Sequence, residues 1–91
     1  MQHMNTKKAE IIFTALAKVL RTERERQGKS IRLLADEYDI QKSLISRLEN
    51  GINEPKLISL WTVCEALDIP LSEIIKRAER ELPDTFSLIE H

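Results

Sequence analysis

Five interruptions constrain what this chain can fold into more than anything else it contains. They are Gly28, Asp39-Ile40-Gln41, Gly51 followed by Pro55, Asp68-Ile69-Pro70, and Pro83. Between them apolar residues return every three or four positions, the period of a helix with one buried face. Residues 8–27 read as a first helix with Ile12, Phe13, Leu16, Val19 and Leu20 inward, and Gly28 is a suitable stop. Ser30 is a good N-cap for a second helix over residues 31–38, which would bury Ile31, Leu34, Ala35 and Tyr38. A third follows to about Asn50, anchored by Leu44, Ile45 and Leu48, with Gly51 just past its end. Pro55 suits the first turn of a fourth helix over residues 56–67, with Leu57, Leu60, Trp61, Val63, Cys64 and Leu67 inward. A fifth, from residue 71 or 72 to 81, turns Leu71, Ile74, Ile75 and Ala78 to the core. With only two Gly and three Pro in 91 residues, and no strand-like alternation, the chain reads as an all-α bundle.

Several function classes drop out. Cys64 is the single cysteine, so one chain can form neither a disulfide framework nor a multi-cysteine zinc site, and a reducing cytoplasm is expected. It falls on the inward side of the fourth helix and reads as a core thiol. His3 and His91 stand at opposite ends and suggest no metal cluster. No apolar run nears the roughly 20 residues of a membrane span, and the start "MQHMNTKK" lacks the apolar stretch of a signal peptide. No paired carboxylates, nucleophile motif or Gly-rich phosphate loop is present, so neither catalysis nor a cofactor is expected. Residues 1–7 read as a disordered leading segment or a cloning remnant, residues 8–82 as the domain, and residues 83–91 as a tail available for a dimer or partner contact.

Charge is informative in its distribution. The net charge is −1, but residues 1–35 carry eight Lys or Arg against three Glu, whereas residues 36–91 carry six against twelve acids. A basic N-terminal half therefore opposes an acidic C-terminal half, and one face can still attract an anion. The run from Lys18 to Arg32 holds six bases against two Glu. It is either a solvated helix with internal pairs such as Glu25–Lys29 or a source of backbone attraction. The acidic fifth helix, with Glu73, Glu79 and Glu81, would then face away from that anion.

The stretch "YDIQKSLISRLENG" concentrates the chemistry. On a helical wheel Lys42, Ser46, Asn50, Ser43 and Arg47 fall within an arc of about 140°, opposite Leu44, Ile45 and Leu48. These are the donors and acceptors that base edges and phosphates require. Arg can bond guanine O6 and N7 together, Lys does so more loosely, Ser suits either base type, and Asn often holds phosphate. Periodicity alone leaves the arc as an ordinary solvated face.

The order of motifs says more. Leu20-Arg21, Arg24, Gly28, Ser30, Leu34-Ala35, Ile45-Ser46 and Glu49-Asn50-Gly51 follow one another, then Pro55, Leu60, Ala66-Leu67 and Ile69. Over about 50 residues this resembles the phage-repressor-like helix-turn-helix family, of the Cro and xenobiotic-response-element type. The resemblance implies a compact five-helix all-α domain of the lambda-repressor type with its helix-turn-helix at helices two and three. The second helix would lie across the DNA backbone and the third would enter the major groove. By position, Lys42, Ser43 and Arg47 would read bases, Ser46 would stand between readout and support, and Asn50 and Lys56 would hold phosphates. Arg24 and Glu49 match a family salt bridge between the first and third helices, although Arg24 could instead touch phosphate.

Three departures qualify the match. Ile31 stands where the family often clamps a phosphate with Gln, leaving that task to backbone N–H groups with Ser30 or Arg32. Asp39 replaces the Gly of the turn, a position asking for a left-handed backbone that Asp tolerates better than most residues. Gln41 replaces the usual small N-cap of the recognition helix, which should start loosely.

The expected function is a sequence-specific regulator of transcription, in this family most often a repressor, that binds a near-palindromic duplex as a homodimer. Half-sites one turn apart would put the recognition helices about 34 Å apart. Helix five and the tail, through Ile74, Phe86, Leu88 and Ile89, are expected at the dimer surface, with Ile11, Ile12 and Phe13 as the alternative. The rival expectation is a protein-interaction module of the same fold, such as an antitoxin that wraps a toxin through its tail.

Overall fold

The computed structural model of the chain describes residues 6–89. Five helices run as α1 (Thr6–Arg26), α2 (Ile31–Tyr38), α3 (Lys42–Asn50), α4 (Leu57–Ala66) and α5 (Leu71–Arg80). Thr6 and Lys7 belong to α1 and not to a leading segment. Residues 1–5 and 90–91, including both histidines, lie outside the described residues. The long α1 packs against α3 and α5, while α2 packs on α3 and α4 on α5. Every helix contributes a fully enclosed side chain to one core: Leu20, Leu34, Ile45, Val63 with Cys64, and Ile74. The Cys64 thiol is free and enclosed, and burial pushes its pKa up to about 11.

Three of the four inter-helix turns share one device. Gly28, Asp39 and Asp68 have φ of +71°, +54° and +55°. After each, the next residue's N–H reaches a carbonyl five positions back: Lys29 to Arg24, Ile40 to Ala35, and Ile69 to Cys64, at 3.2, 2.9 and 3.0 Å. This Schellman-type closure satisfies carbonyls left over at the helix ends, and the apolar residue that follows (Ile40 or Ile69) turns back onto the core. The left-handed Asp39 inferred from sequence is therefore present, and Asp68 repeats it. Ser30 caps α2 by accepting the Leu33 N–H at 3.0 Å. Gln41 precedes α3 without a side-chain cap.

Four residues assigned inward by periodicity face out: Tyr38, Leu57, Trp61 and Ile75. Tyr38 ends α2, where its ring carries the Lys29 ammonium at 5.8 Å from the centroid. α4 has no charged residue from Leu57 to Cys64, so periodicity could not tell its two sides apart. Packing gives the core Leu60, Val63 and Cys64, and leaves Leu57, Ile58 and Trp61 on the surface. On α5 the core takes the narrow stripe of Ile74 and Ala78. Lys29 pairs with Glu37 at 3.0 Å and not with Glu25, because the turn at Gly28 takes it off the α1 helix.

Charge also fastens α5 to α1. The enclosed Glu23 carboxylate accepts from Arg26, from Gln27 at 2.8 Å and from Arg77 at 2.8 Å. Arg77 also bonds Glu73 at 3.0 Å, and Lys18 bonds Glu81 at 2.6 Å. Gln27 donates onward to the Leu67 carbonyl at 2.7 Å, tying the end of α1 to the end of α4. The Arg26 hydrogen bond, with help from Gln27 and Arg77 and against the effect of burial, lowers the Glu23 pKa from 4.5 to about 2. A carboxylate whose pKa is lower in the folded state stabilises the fold fully above the unfolded value and loses that effect as pH falls. Glu23 should therefore contribute about 1–3 kcal/mol that disappears between pH 4.5 and 2. The lower end of that range reflects solvent screening of the exposed Arg26. Denaturant midpoints of Glu23→Gln should vary less with pH across this window than those of the unaltered protein. Parallel curves would remove Glu23 from the account.

Candidate nucleic-acid interface

The second and third helices form a helix-turn-helix whose outer surface is polar. On α3, Lys42, Ser43, Ser46, Arg47 and Asn50 are all exposed, while Ile45, Leu48 and Glu49 are buried. Arg47 Nε is 3.4 Å from the Ser43 carbonyl, a long contact that leaves the guanidinium free to reach outward. Lys56 directly precedes α4 and lines one cleft with Arg47, Leu44 and Pro55, so the residue expected to read bases and one expected to hold phosphate share a side of the molecule. Arg32 is exposed on the first turn of α2. Ser30 is exposed too, but its oxygen already serves as the cap of α2, which leaves the hydroxyl proton as its offer to a phosphate.

Behind this surface lies the residue pair that holds it in place. Arg24 Nε and Nη2 meet the two Glu49 oxygens at 2.7 and 2.9 Å, a fork-on-fork pair joining α1 to α3. The same guanidinium donates through Nη1 to the Lys29 carbonyl at 2.6 Å. Arg24 therefore fixes the recognition helix and the entry to α2 together. Its pKa is raised, chiefly by the Glu49 hydrogen bond. Of the two readings that its position allowed, structural pair or phosphate contact, the geometry is that of the structural pair.

The expected dimer residues are scattered in their accessibility. Ile74 is fully buried in this chain's own core, so it offers a second copy nothing; the stripe α5 needs for α1 and α4 has consumed it. Phe86 and Leu88 are half-buried and Ile89 is exposed. Arg21, quoted in the motif but given no role there, proves to sit beside Glu49 with Nε 3.9 Å from its Oε1. Sequence spacing offered one signal for it, since Arg21 and Arg24 are three apart on one helix.

With this geometry in view, residues 20–74 match the helix-turn-helix family HTH_3. The chain belongs to that family. The transcriptional regulator ClgR of Mycobacterium tuberculosis is 31% identical over 67 residues, which are 74% of this chain and 60% of that protein. The HTH-type regulator SutR of Escherichia coli is 24% identical over 71 residues, covering 78% of this chain and 40% of SutR. The chain thus spans about three fifths of the ClgR relative and less of SutR. Among solved structures, the clp gene regulator ClgR from C. glutamicum superposes with a TM-score of 0.70 at 27% identity, over 81% of this chain and 96% of that one. An HTH_3 family regulator from Vibrio cholerae shares the fold, with a TM-score of 0.66 at 21% identity over 87% of this chain and 45% of its own. The HTH_3 match begins at Leu20, so it leaves out most of α1, and it ends at Ile74 within α5. Among the described residues no helix is long and apolar enough to cross a membrane, and no group of His, Cys, Asp and Glu could hold a metal ion.

Proposed function

We propose that this protein is a DNA-binding transcriptional regulator that reads a near-palindromic duplex as a homodimer, and that it acts as a repressor where that duplex overlaps a promoter. The observation that carries the reading is the exposed row Lys42, Ser43, Ser46 and Arg47 on the helix that Arg24 and Glu49 pin to the domain. A helix that must lie in a groove needs a reading face free of its own ion pairs and a back face that cannot rotate. Lys42, Ser43 and Arg47 contact base edges, and Ser46 reads or supports them. Arg32, Asn50, Lys56 and the Ser30 hydroxyl hold the backbone, which positions the helix without carrying sequence information. The exposed Leu57, Ile58 and Trp61 of α4 and the exposed Ile89 supply apolar surface for the second copy.

Selection of bound duplexes from a random pool at about 150 mM salt tests the reading, since loose backbone binding is weakened at that strength. An inverted repeat is expected, and its half-site spacing would report the dimer. Random sequences, or none, recovered by folded protein would favour an interaction module with a protein partner. On the selected duplex Arg47→Ala should cost about 1–3 kcal/mol and relax preference at one base position. An equal loss on every sequence would instead make Arg47 a phosphate contact.

A further inference from the structure

Around the C-terminal end of α3 the charges do not cancel. Glu49 is enclosed and has both oxygens occupied by Arg24. Arg21 approaches the same carboxylate only to 3.9 Å, too far for a hydrogen bond, and its side chain is 59% exposed. No hydrogen bond to Arg21 exists among the described residues, so its N–H donors remain available to a partner outside the chain. One carboxylate serves two guanidiniums, and the surplus positive charge rests on Arg21. Arg21 is also held close to the end of α3. A Cβ on Gly51 would lie 3.1 Å from Ala17 Cβ and 3.1 Å from Thr14 Cα, so the chain leaving α3 rests directly on α1. Arg21 stands one turn beyond Ala17 on that helix.

We infer that Arg21 is a DNA-contacting residue of this domain: it holds a backbone phosphate jointly with Asn50 at the C-terminal flank of the recognition helix. The inference rests on the DNA-binding reading above and adds a contact from α1, outside the helix-turn-helix. Asn50 alone is poorly placed to hold an anion. It ends α3, where the helix dipole puts about half a negative charge, and it adjoins Glu49. Arg24 cannot offset that field at the surface, because it is buried and spends three of its five N–H donors on Glu49 and the Lys29 carbonyl. Arg21 can. Its guanidinium is partly oriented by Glu49, so less freedom is lost when a phosphate oxygen takes its donors.

The test measures affinity for the selected duplex from 50 to 300 mM salt with the full chain, Arg21→Gln and Arg21→Lys, and records the melting temperature of each. Loss of one phosphate contact should lower the slope of log affinity against log salt by about 0.9 per copy and weaken binding about fivefold at 150 mM salt. The loss should be equal on duplexes altered at any base position. Arg21→Lys should recover most of the slope, because a point charge suffices for backbone attraction. A merely structural Arg21 would lower the melting temperature and the active fraction while leaving the slope unchanged. That result overturns the inference and leaves the DNA-binding reading intact. Failure of the unaltered protein to bind any duplex overturns both.

Discussion

Replacing Glu49 with alanine is expected to destabilise the domain by on the order of 3–5 kcal/mol, the cost of stranding a buried charge. The Arg24 guanidinium would lose both of its short carboxylate bonds and remain enclosed between α1 and α3. Arg24→Ala should cost a similar amount by the reverse route, and it also strips the Lys29 carbonyl of its 2.6 Å donor. The change that separates the worth of the pair from the cost of breaking it is the double replacement Arg24→Met with Glu49→Leu. Apolar side chains of similar volume remove both charges together, so this variant should recover most of the lost stability. Urea midpoints of the three variants provide the measurement. A loss below about 1 kcal/mol for each single variant would mean a solvated pair of the exposed kind. DNA affinity should fall in the single variants beyond what the unfolded fraction explains, because α3 loses its tie to α1.

The second large effect is expected at Gly51. Its φ of +69° lies in the left-handed region, and a Cβ there would come within 3.1 Å of Ala17 Cβ and of Thr14 Cα, and 3.2 Å of the Phe13 carbonyl oxygen. Backbone at that distance cannot swing aside as a flexible side chain can. Gly51→Ala therefore combines backbone strain with forced separation of α3 from α1, and together these should cost about 2–4 kcal/mol. Gly28 is the internal control. It has φ +71°, but nothing lies within 4 Å of its added Cβ. Gly28→Ala carries the strain alone and should cost about 1–2 kcal/mol. Chemical denaturation of the two variants side by side decides the point: equal losses would mean that the α1–α3 contact yields freely and that only the backbone angle matters.

Much of the architecture is legible along the chain because its signals are local. Helix ends are set by residues within a turn of themselves. Ser30 caps α2 through its own side chain, and Gly28 and Gly51 supply left-handed angles. Asp39 adopts φ +54° in the turn where the family more often has Gly. The outward face of α3 is legible for the same reason, since a helix with three apolar anchors on one side has little choice over the other. The Arg24–Glu49 pair was legible only through resemblance. The two residues lie 25 positions apart, and nothing local announces that they meet.

Where local signals balance, only packing decides. The sequence of α4 has no charge from Leu57 to Cys64 to mark an outer side, and packing on α5 and α3 settled which side went in, leaving Trp61 and Ile58 exposed. Ile74 looked available for a partner until the bundle closed over it. The Glu23 network joins α1 to α5 across 54 residues, and its three donors act together only once both helices are in place. By itself the sequence determined the five helices, the turns between them and the polar face of α3, because each depends on residues within one or two turns. Which apolar face was buried, and which charges were neutralised and which left over, was decided by the tertiary structure. Burial and Coulomb attraction act between surfaces that meet only when the chain has folded.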